Sequence, residues 1–425
     1  MRILFLHKTF PGSFRLLVHA FGVQPENTIL FLSETGQKSA RTNVRRLRLA
    51  PPLKHITRDS VENDLVQRYR RAARAGNALL LLSKDGYEPD LICASSSMPG
   101  SLFVRDVFPN AFYAIEADWF YRRGQQTFFN HDITPAEFAP ARIRNLWEYN
   151  ALGDCDFAFT SSVWQKSHYP DFLDKKLHVI HHGINTAFFS SVPEFFVDET
   201  THLKLANTAE IVSFSGPYQD PSRGFSQFLQ AVPQILSKRP NCHIIMLWPD
   251  RRSKPRQGGE TIRREETEKY RQLLADVPLS DKARSRLHLL GVRPISKYRQ
   301  MLRASTVHVY LTAPHALSTG FLEAMACGAL VVGSDTAPVK EVLEHGKNGF
   351  LCDYAEPGAI AETVAGVLNL APKLTFIREA AKQIVAQEYN AALQTERLVA
   401  PLREGVLKKR RNIAQARRPP LFRFH

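Results

Sequence analysis

The segment Val307-His308-Val309-Tyr310-Leu311-Thr312-Ala313-Pro314-His315-Ala316-Leu317-Ser318-Thr319-Gly320-Phe321-Leu322-Glu323-Ala324-Met325-Ala326-Cys327-Gly328 contains residue types suited to holding an anion. It opens on a β-branched apolar run, passes through a loop, and from Thr319 its apolar residues recur with helical spacing. Ser318 or Thr319 can cap that helix, Gly320 removes a side chain where a ligand approaches the backbone, and Gly328 follows the last turn as a stop. The first amides of a helix lack internal partners and attract phosphate. Glu323, one turn in, either accepts hydrogen bonds from ribose hydroxyls of the same ligand or is a helix-start carboxylate favoured by the macrodipole.

A second such position is Ser215-Gly216-Pro217-Tyr218-Gln219-Asp220-Pro221-Ser222-Arg223-Gly224-Phe225. A guanidinium at Arg223, beside a glycine and ahead of a helix, is placed to grip a diphosphate bidentately. An exposed loop arginine is the plainer alternative. Gly12, in Thr9-Phe10-Pro11-Gly12-Ser13-Phe14, either lets backbone approach a ligand or makes a tight turn. His315 is either a donor that charges near neutral pH or a neutral loop histidine. His181 and His182 are adjacent on a predicted strand, so their side chains diverge and do not chelate one metal ion together.

These positions need elements to hold them. Short β-rich runs alternate with helical stretches, which requires crossover connections and a parallel sheet covered on both faces. Strands are expected at Ile3 to His7, Thr28 to Ser33, Asp90 to Ala94, Ala111 to Glu116, Phe157 to Thr160 and Leu177 to His181. A second set is expected at Glu210 to Ser215, Cys242 to Trp248, Arg286 to Gly291, Val307 to Leu311, Ala329 to Ser334 and Gly349 to Asp353. Among the intervening helices are Asp64 to Leu82, Ser101 to Phe108, Arg142 to Asp154, Ser226 to Arg239, Thr261 to Ala275, Ile295 to Ala304 and Pro338 to His345. The fold class is therefore α/β, with one doubly wound domain over residues 1–188, a polar linker at 189–208 and a second domain over 209–378. A helix at 379–407 crosses back, and a basic, mobile tail fills 408–425. Ligands of such sheets sit beyond the carboxyl ends of the strands, so two of them facing each other imply a cleft.

Length and composition agree: 425 residues make two domains the expectation, and 44% apolar with 23% charged residues excludes a fibrous or wholly disordered chain. Five widely separated cysteines make neither a disulfide framework nor a zinc knuckle and fit a reducing cytoplasm. The N-terminal apolar stretch is too short for a secretory signal, and no run reaches membrane-spanning length. The formal charge of +15 draws seven residues from 408–425, and further arginines cluster at Arg41, Arg45, Arg46, Arg48 and Arg58 and at Arg68, Arg70, Arg71 and Arg74. Solvated charge is one reading. An anionic membrane surface is the other. Nucleic acid is not expected, because no recognition motif accompanies the charge.

Several stretches together resemble the family-4 retaining glycosyltransferases of the GT-B fold. They are Leu322-Glu323-Ala324-Met325-Ala326-Cys327-Gly328, Val331 to Val342, His345 to Leu351, Phe10 to Arg15, Glu116 with Phe120-Tyr121-Arg122, Val163 to Lys166, Val179 to Asn185 and Arg223-Gly224-Phe225. The resemblance implies two Rossmann-like domains facing across a cleft and transfer of a sugar from a nucleotide diphosphate sugar with retention. It implies no cofactor and no bound metal. Carried over residue by residue, Glu323 holds the ribose, while Arg223 and the amides from Ser318, Thr319 and Gly320 to Phe321 and Leu322 receive the diphosphate. Val292, Arg293 and Pro294 line the base, and Gly12 faces the donor phosphate.

His315 stands where the family usually has a glutamate that contacts the donor sugar, eight residues before Glu323, and is assigned a catalytic place with Arg223 and Glu323. Ser95 falls at the position of a family histidine and, with Glu116, is assigned to the acceptor side. The same two substitutions fit a second reading, a GT-B paralogue with impaired catalysis that serves as a binding or scaffold partner. The basic clusters suit an anionic or lipid acceptor, and the expected location is cytoplasmic, at or near a membrane surface.

Overall fold

A computed structural model of the chain describes residues 1–36, 43–49, 61–122, 134–173, 175–205, 209–216, 220–250 and 272–416. Two compact units divide it, one from 1–182 with 394–425, the other from 183–393.

In the first unit the strands are β1 (Arg2–Leu6), β2 (Thr28–Ser33), β3 (Val44–Arg48), β4 (Leu91–Ser95), β5 (Phe112–Glu116), β6 (Phe157–Thr160) and β7 (Leu177–Val179). They form a seven-stranded parallel sheet in the order β3-β2-β1-β4-β5-β6-β7. Apart from the edge strands β3 and β7, their side chains are largely apolar on both faces, because helices cover both. Leu4, Leu6, Ile92, Ala94 and Ile115 pack on one side with Leu79 of α2 (Val61–Lys84) and Leu152 of α3 (Pro135–Asp154). Ile3, Phe5, Phe31 and Cys93 pack on the other with Leu17, Val18 and Phe21 of α1 (Arg15–Gly22). The strand order reverses between β1 and β4, so the crevice of this sheet opens where those two strands end.

The second unit opens with a hairpin, β8 (Phe196–Asp198) and β9 (Leu203–Leu205). Its parallel sheet contains β10 (Glu210–Phe214), β11 (Cys242–Asp250), β12 (Leu287–Pro294), β13 (Val307–Tyr310), β14 (Leu330–Ser334) and β15 (Phe350–Cys352) in the order β12-β11-β10-β13-β14-β15. Here the reversal lies between β10 and β13. The longer helices described in this unit are α4 (Phe225–Lys238), α5 (Ile295–Ala304), α6 (Thr319–Ala326), α7 (Pro357–Leu370) and α8 (Thr375–Glu388). Finally α9 (Ala391–Ala416) packs Leu398, Leu402 and Val406 into the α1 side of the first unit's core.

Several expectations are corrected. The linker at 189–208 contains the β8–β9 hairpin and belongs to the second unit. The arginines at 45, 46 and 48 are the edge strand β3, where charge discourages further strand pairing. Helix α3 begins at Pro135 rather than near 142, because Thr134 and Glu137 form a reciprocal capping box. The helix expected at 101–108 is a 3-10 turn at Pro99–Phe103 followed by a short helix at Val104–Val107. That at 338–345 is only Ala337–Lys340, and α7 was not anticipated.

The single helix expected at 379–407 is two, α8 and α9, parted at Tyr389 and Asn390, where the Asn390 side chain accepts the Ala392 amide at 2.8 Å. Nor is the tail mobile from 408. Helix α9 continues to Ala416, with Lys409 bound to Asp156 and Arg410 to Asp90. Arg41, Arg58, most of the helix expected at 261–275 and the tail beyond 416 lie outside the described residues. No single helix among the described residues is long and apolar enough to cross a membrane. One pair of helices, 357–373 with 375–388, is long and apolar enough taken together, but it is bent by 98° and packs Ile360, Val364, Val367, Leu368 and Ile377 into the unit's core.

Candidate active site

At the switch point of the second unit, β10 leads to Arg223 and β13 leads to the first turn of α6. Backbone donors at two helix starts, α4 and α6, therefore converge on the loops there. Gly224 caps α4 with φ 66°, and a Cβ on it would lie 2.4 Å from Cβ of Leu311, so glycine alone lets β13 end against this helix. Ala313 N donates to Ser222 O at 2.8 Å, tying the two loops together.

Arg223 is held on both sides. Nη1 donates to Thr312 Oγ1 at 3.2 Å and to Ala316 O at 3.3 Å, while Nε lies 3.4 Å from Asp220 Oδ2. Thr312 is itself fixed, its amide donating to Ser334 Oγ at 2.8 Å. Ser318 caps α6 by accepting the Gly320 amide at 3.3 Å, and its own amide donates to the Tyr310 hydroxyl at 3.0 Å. The Tyr298 hydroxyl donates to Gly320 O at 3.4 Å. Glu323, only 3% exposed, accepts from Thr319 Oγ1 at 3.2 Å. Its carboxylate thus faces the first turn of its own helix. Phe321 and Leu322 are buried, so only their backbone is available to a ligand.

His315 lies on the same loop. Burial first and the neighbouring Arg223 charge second push it down to about 4, so it is neutral at pH 7. The reading as a donor that charges near neutrality gives way to the neutral one.

Val292, Arg293 and Pro294 do not follow the strand but complete it, because a bulge between Met246 and Leu247 carries β11 alongside them. The Arg293 guanidinium turns onto Asp198 of β8, Nε to Oδ2 2.7 Å. Burial would raise that aspartate, but the arginine's hydrogen bonds and charge prevail and hold it below the usual range. The Arg293 side chain is thus a tie to the hairpin rather than a wall for a base.

In the first unit Gly12, Ser95 and Glu116 all lie at the carboxyl ends of β1, β4 and β5. Gly12 has φ 55°, and a Cβ there would strike the His7 ring at 2.1 Å. Ser13, the next residue, donates to Glu116 Oε2, while His182 Nε2 lies 3.2 Å from Oε1. Burial raises Glu116 to about 7, against the Ser13 hydrogen bond and the His7 charge. Ser95, paired with Glu116 in register, shares a hydrogen bond with Ser97 at 2.8 Å. Beside it Ser96 donates to Glu148 of α3 at 2.5 Å, and burial raises that carboxyl to about 8.

His181 and His182 diverge as expected, His181 inward with its amide on Gln394 and His182 toward Glu116. Among the described residues no three His, Cys, Asp or Glu side chains converge on a common point. Thr312, Ser334, Tyr310 and Tyr298 were missed from sequence, as were Ser13 and His182 as partners of Glu116. Strand-end position was the available signal for Thr312, Ser334 and Tyr310; Tyr298 carries none.

Residues 25–189 match the glycosyl transferase family 4 group, and residues 209–369 match the glycosyl transferases group 1. The D-inositol 3-phosphate glycosyltransferase of Corynebacterium efficiens is 22% identical over 327 residues, 76% of this chain and 71% of that protein. The phosphatidyl-myo-inositol mannosyltransferase of Mycolicibacterium smegmatis is 25% identical over 162 residues, 37% of this chain and 36% of its own length. The N-acetyl-alpha-D-glucosaminyl L-malate synthase of Bacillus anthracis is 25% identical over 92 residues, 22% of this chain and 24% of its length. The chain thus spans well under two thirds of these last two relatives.

Among solved structures, sucrose-phosphate synthase from Thermosynechococcus elongatus superposes with a TM-score of 0.68 at 17% identity, covering 95% of this chain and 98% of that one. Anabaena HepE in complex with UDP and glucose gives 0.64 at 16%, covering 95% and 100%. These likenesses show the fold, two sheets of the GT-B kind.

Proposed function

Because the chain belongs to the glycosyltransferases, its first unit of the family 4 group and its second of group 1, we propose that it transfers a sugar from a nucleotide diphosphate sugar to an acceptor hydroxyl. The anomeric configuration is retained and no metal ion takes part. The observation that carries this reading is Arg223, clamped by Thr312 and Ala316 at the sheet's switch point beside the start of α6. HepE, a fold relative, is described with UDP and glucose bound, which supports a nucleotide sugar as donor here.

In this reading the diphosphate lies against Arg223 and the amides from Ser318 to Leu322. The bond between the anomeric carbon and the diphosphate breaks, and negative charge grows on the departing oxygen. Fixed guanidinium and backbone donors stabilise that charge without having to reorganise. The acceptor oxygen joins the same face of the sugar, and its proton passes to the diphosphate oxygen. Glu323 accepts from the ribose hydroxyls, in competition with Thr319. Val292 and Pro294 border the base, and Gly12 offers backbone to the donor phosphate. His315, neutral at pH 7, donates one hydrogen bond to the sugar or phosphate without adding charge.

Ser95 and Glu116 belong to the acceptor side. The acceptor itself is an anionic or lipid-linked molecule, for which the +15 charge is the support. Five buried, unpaired cysteines support a cytoplasmic location.

The test is a donor screen. Purified protein is incubated with a panel of nucleotide sugars while nucleotide release and thermal stabilisation by the free nucleoside diphosphates are followed. Turnover of one donor is the expected result. Stabilisation without turnover of any donor would instead indicate the binding paralogue, and neither response would remove the nucleotide reading.

A further inference from the structure

After β5 the chain from Ala117 to Arg122 follows no regular element, yet buried polar side chains from elsewhere in the unit pin its backbone. Ser96 Oγ accepts the Asp118 amide at 2.9 Å, Glu148 accepts the Trp119 amide, and the Asp118 carbonyl accepts from Nε2 of Gln165. Asn145 holds Tyr121 twice, Oδ1 accepting its amide at 2.9 Å and Nδ2 donating to its carbonyl at 2.8 Å. Arg122 closes the loop with Nε donating to His168 O at 2.6 Å. Ser96, Asn145, Glu148 and Gln165 are each no more than 6% exposed. A buried polar side chain is costly unless hydrogen-bonded, and once satisfied it rigidifies what it holds. Here it holds a loop.

What the loop carries is open. Asp118 is exposed and Trp119 half-buried. Trp164, half-buried as well, comes from the short helix Val163–Lys166 after β6 and stands beside Trp119, with ring centroids 5.6 Å apart and planes tilted by 43°. His168, 1% exposed, supports both indoles, its centroid 5.2 Å from Trp119 and 4.2 Å from Trp164. Protein packed around the Asp118 carboxyl lifts it above the usual range, against the nearby His182 charge, and its own charge reaches Glu116.

An aromatic cluster that served only the core would close over its rings. Indole surface left open beside a carboxylate, on a loop fixed in advance, matches a saturated ring that is apolar on its C–H faces and hydroxylated at its edge. An anionic group does not suit the place, because Asp118 and Glu116 would repel it.

We infer that Asp118, Trp119 and Trp164 bind an uncharged, hydroxylated six-membered ring, a pyranose or a cyclitol, which lies on the indoles while the Asp118 carboxylate accepts from its hydroxyls. The site rests on the transfer reading only in that this ring is then part of the acceptor. Any charged or lipid portion of the acceptor lies away from the two carboxylates.

The experiment is saturation-transfer NMR on the full chain with aromatic protons irradiated. The probes are the methyl pyranosides of glucose, mannose and N-acetylglucosamine, together with myo-inositol, glycerol and choline. Transfer is expected to the ring C–H protons of a pyranoside or of the inositol, which tells the two sources apart, and to neither glycerol nor choline. Trp164→Ala should weaken binding of that probe by about tenfold, the scale of a truncated aromatic anchor. Asp118→Asn should weaken it by about tenfold or more through lost charged hydrogen bonds, with the thermal midpoint unchanged because the side chain is exposed. Trp119→Phe and Trp164→Phe keep a ring and should lose less than the alanine variants, a gradation that a folding defect would not give.

Stabilisation by nucleoside diphosphate should match the parent chain in every variant. Once a donor is turned over, acceptor KM should rise in Asp118→Asn while donor KM holds. Transfer to no ring, transfer to choline instead, or ring binding indifferent to Asp118→Asn and Trp164→Ala would overturn the assignment. Ring binding by a chain that turns over no donor would uphold the site, and the failure would then be that of the transfer reading.

Discussion

Nη1 of Arg223 donates to Oγ1 of Thr312 at 3.2 Å across 89 positions of sequence, joining the loop after β10 to the loop after β13. The contact holds the guanidinium in one orientation at the switch point, where a freely rotating side chain would have to be ordered by the ligand. Arg223→Lys keeps a charge but loses the planar fork. It is expected to lower kcat/KM by about 100-fold, in line with removal of one preorganised donor from a charge-stabilising site. Steady-state kinetics with the donor found in the screen measure it, and a fully active Lys variant would count against the assigned role.

Glu323→Gln retains an acceptor for Thr319 but halves the carboxylate's capacity to accept ribose hydroxyls. Nucleoside diphosphate affinity by calorimetry should fall by about tenfold, the usual scale for weakening a charged hydrogen bond. An unchanged Kd would leave the residue a helix-start carboxylate and nothing more.

Gly224 and Gly291 share φ 66° but differ in surroundings. A Cβ on Gly224 meets Leu311 at 2.4 Å, whereas one on Gly291 meets nothing within 4 Å. Gly291→Ala should therefore cost only left-handed backbone strain, about 1 kcal/mol, and Gly224→Ala about 2 kcal/mol or more beyond that. Urea midpoints of the two variants check the order, and equal losses would show that the Leu311 contact relaxes.

Arg293→Ala strands Asp198, which is 1% exposed, and should destabilise the protein by about 3 kcal/mol as an unpaired buried charge. Donor KM should stay close to that of the parent. A raised KM with unaltered stability would restore the side chain to the base-binding role that the structure withdraws.

Glu148 gives a pH signature. Burial, opposed by the Ser96 hydrogen bond, raises its carboxyl from about 4.5 to about 8 in the folded protein. Between those values the folded state holds a proton that the unfolded state has released, so this contribution is whole below about pH 4.5 and is lost as pH rises toward 8. Glu148→Gln cannot titrate, and its unfolding free energy should fall less between pH 5 and pH 8 than that of the parent chain. Denaturant titrations across that interval decide it; parallel curves would mean that the carboxyl ionises as it does in water.

Much of this protein was legible before any coordinates. Apolar runs bounded by turn residues marked twelve of the thirteen strands that build the two sheets, all but β3, well enough to reveal two parallel α/β units. The Ser318 cap with Gly320 placed the start of α6, because caps, periodicity and turn preferences act over a few residues. Where a local signal was overlooked, as at the Thr134 box or in the arginines of β3, it was nonetheless present in neighbouring residues.

Pairings over long separations were decided only by the fold. Arg293 turns to Asp198 across 95 positions and Glu116 receives Ser13 across 103, and nothing near any of these residues names its partner. The same holds for which cations meet an acid. Lys409 and Arg410 of the tail find Asp156 and Asp90, while Arg70 and Lys84 of α2 find none among the described residues. Sequence supplies the charges and the local geometry that carries them. Only packing brings distant segments within reach, and at these positions it is reach that separates a ligand-binding side chain from a structural one.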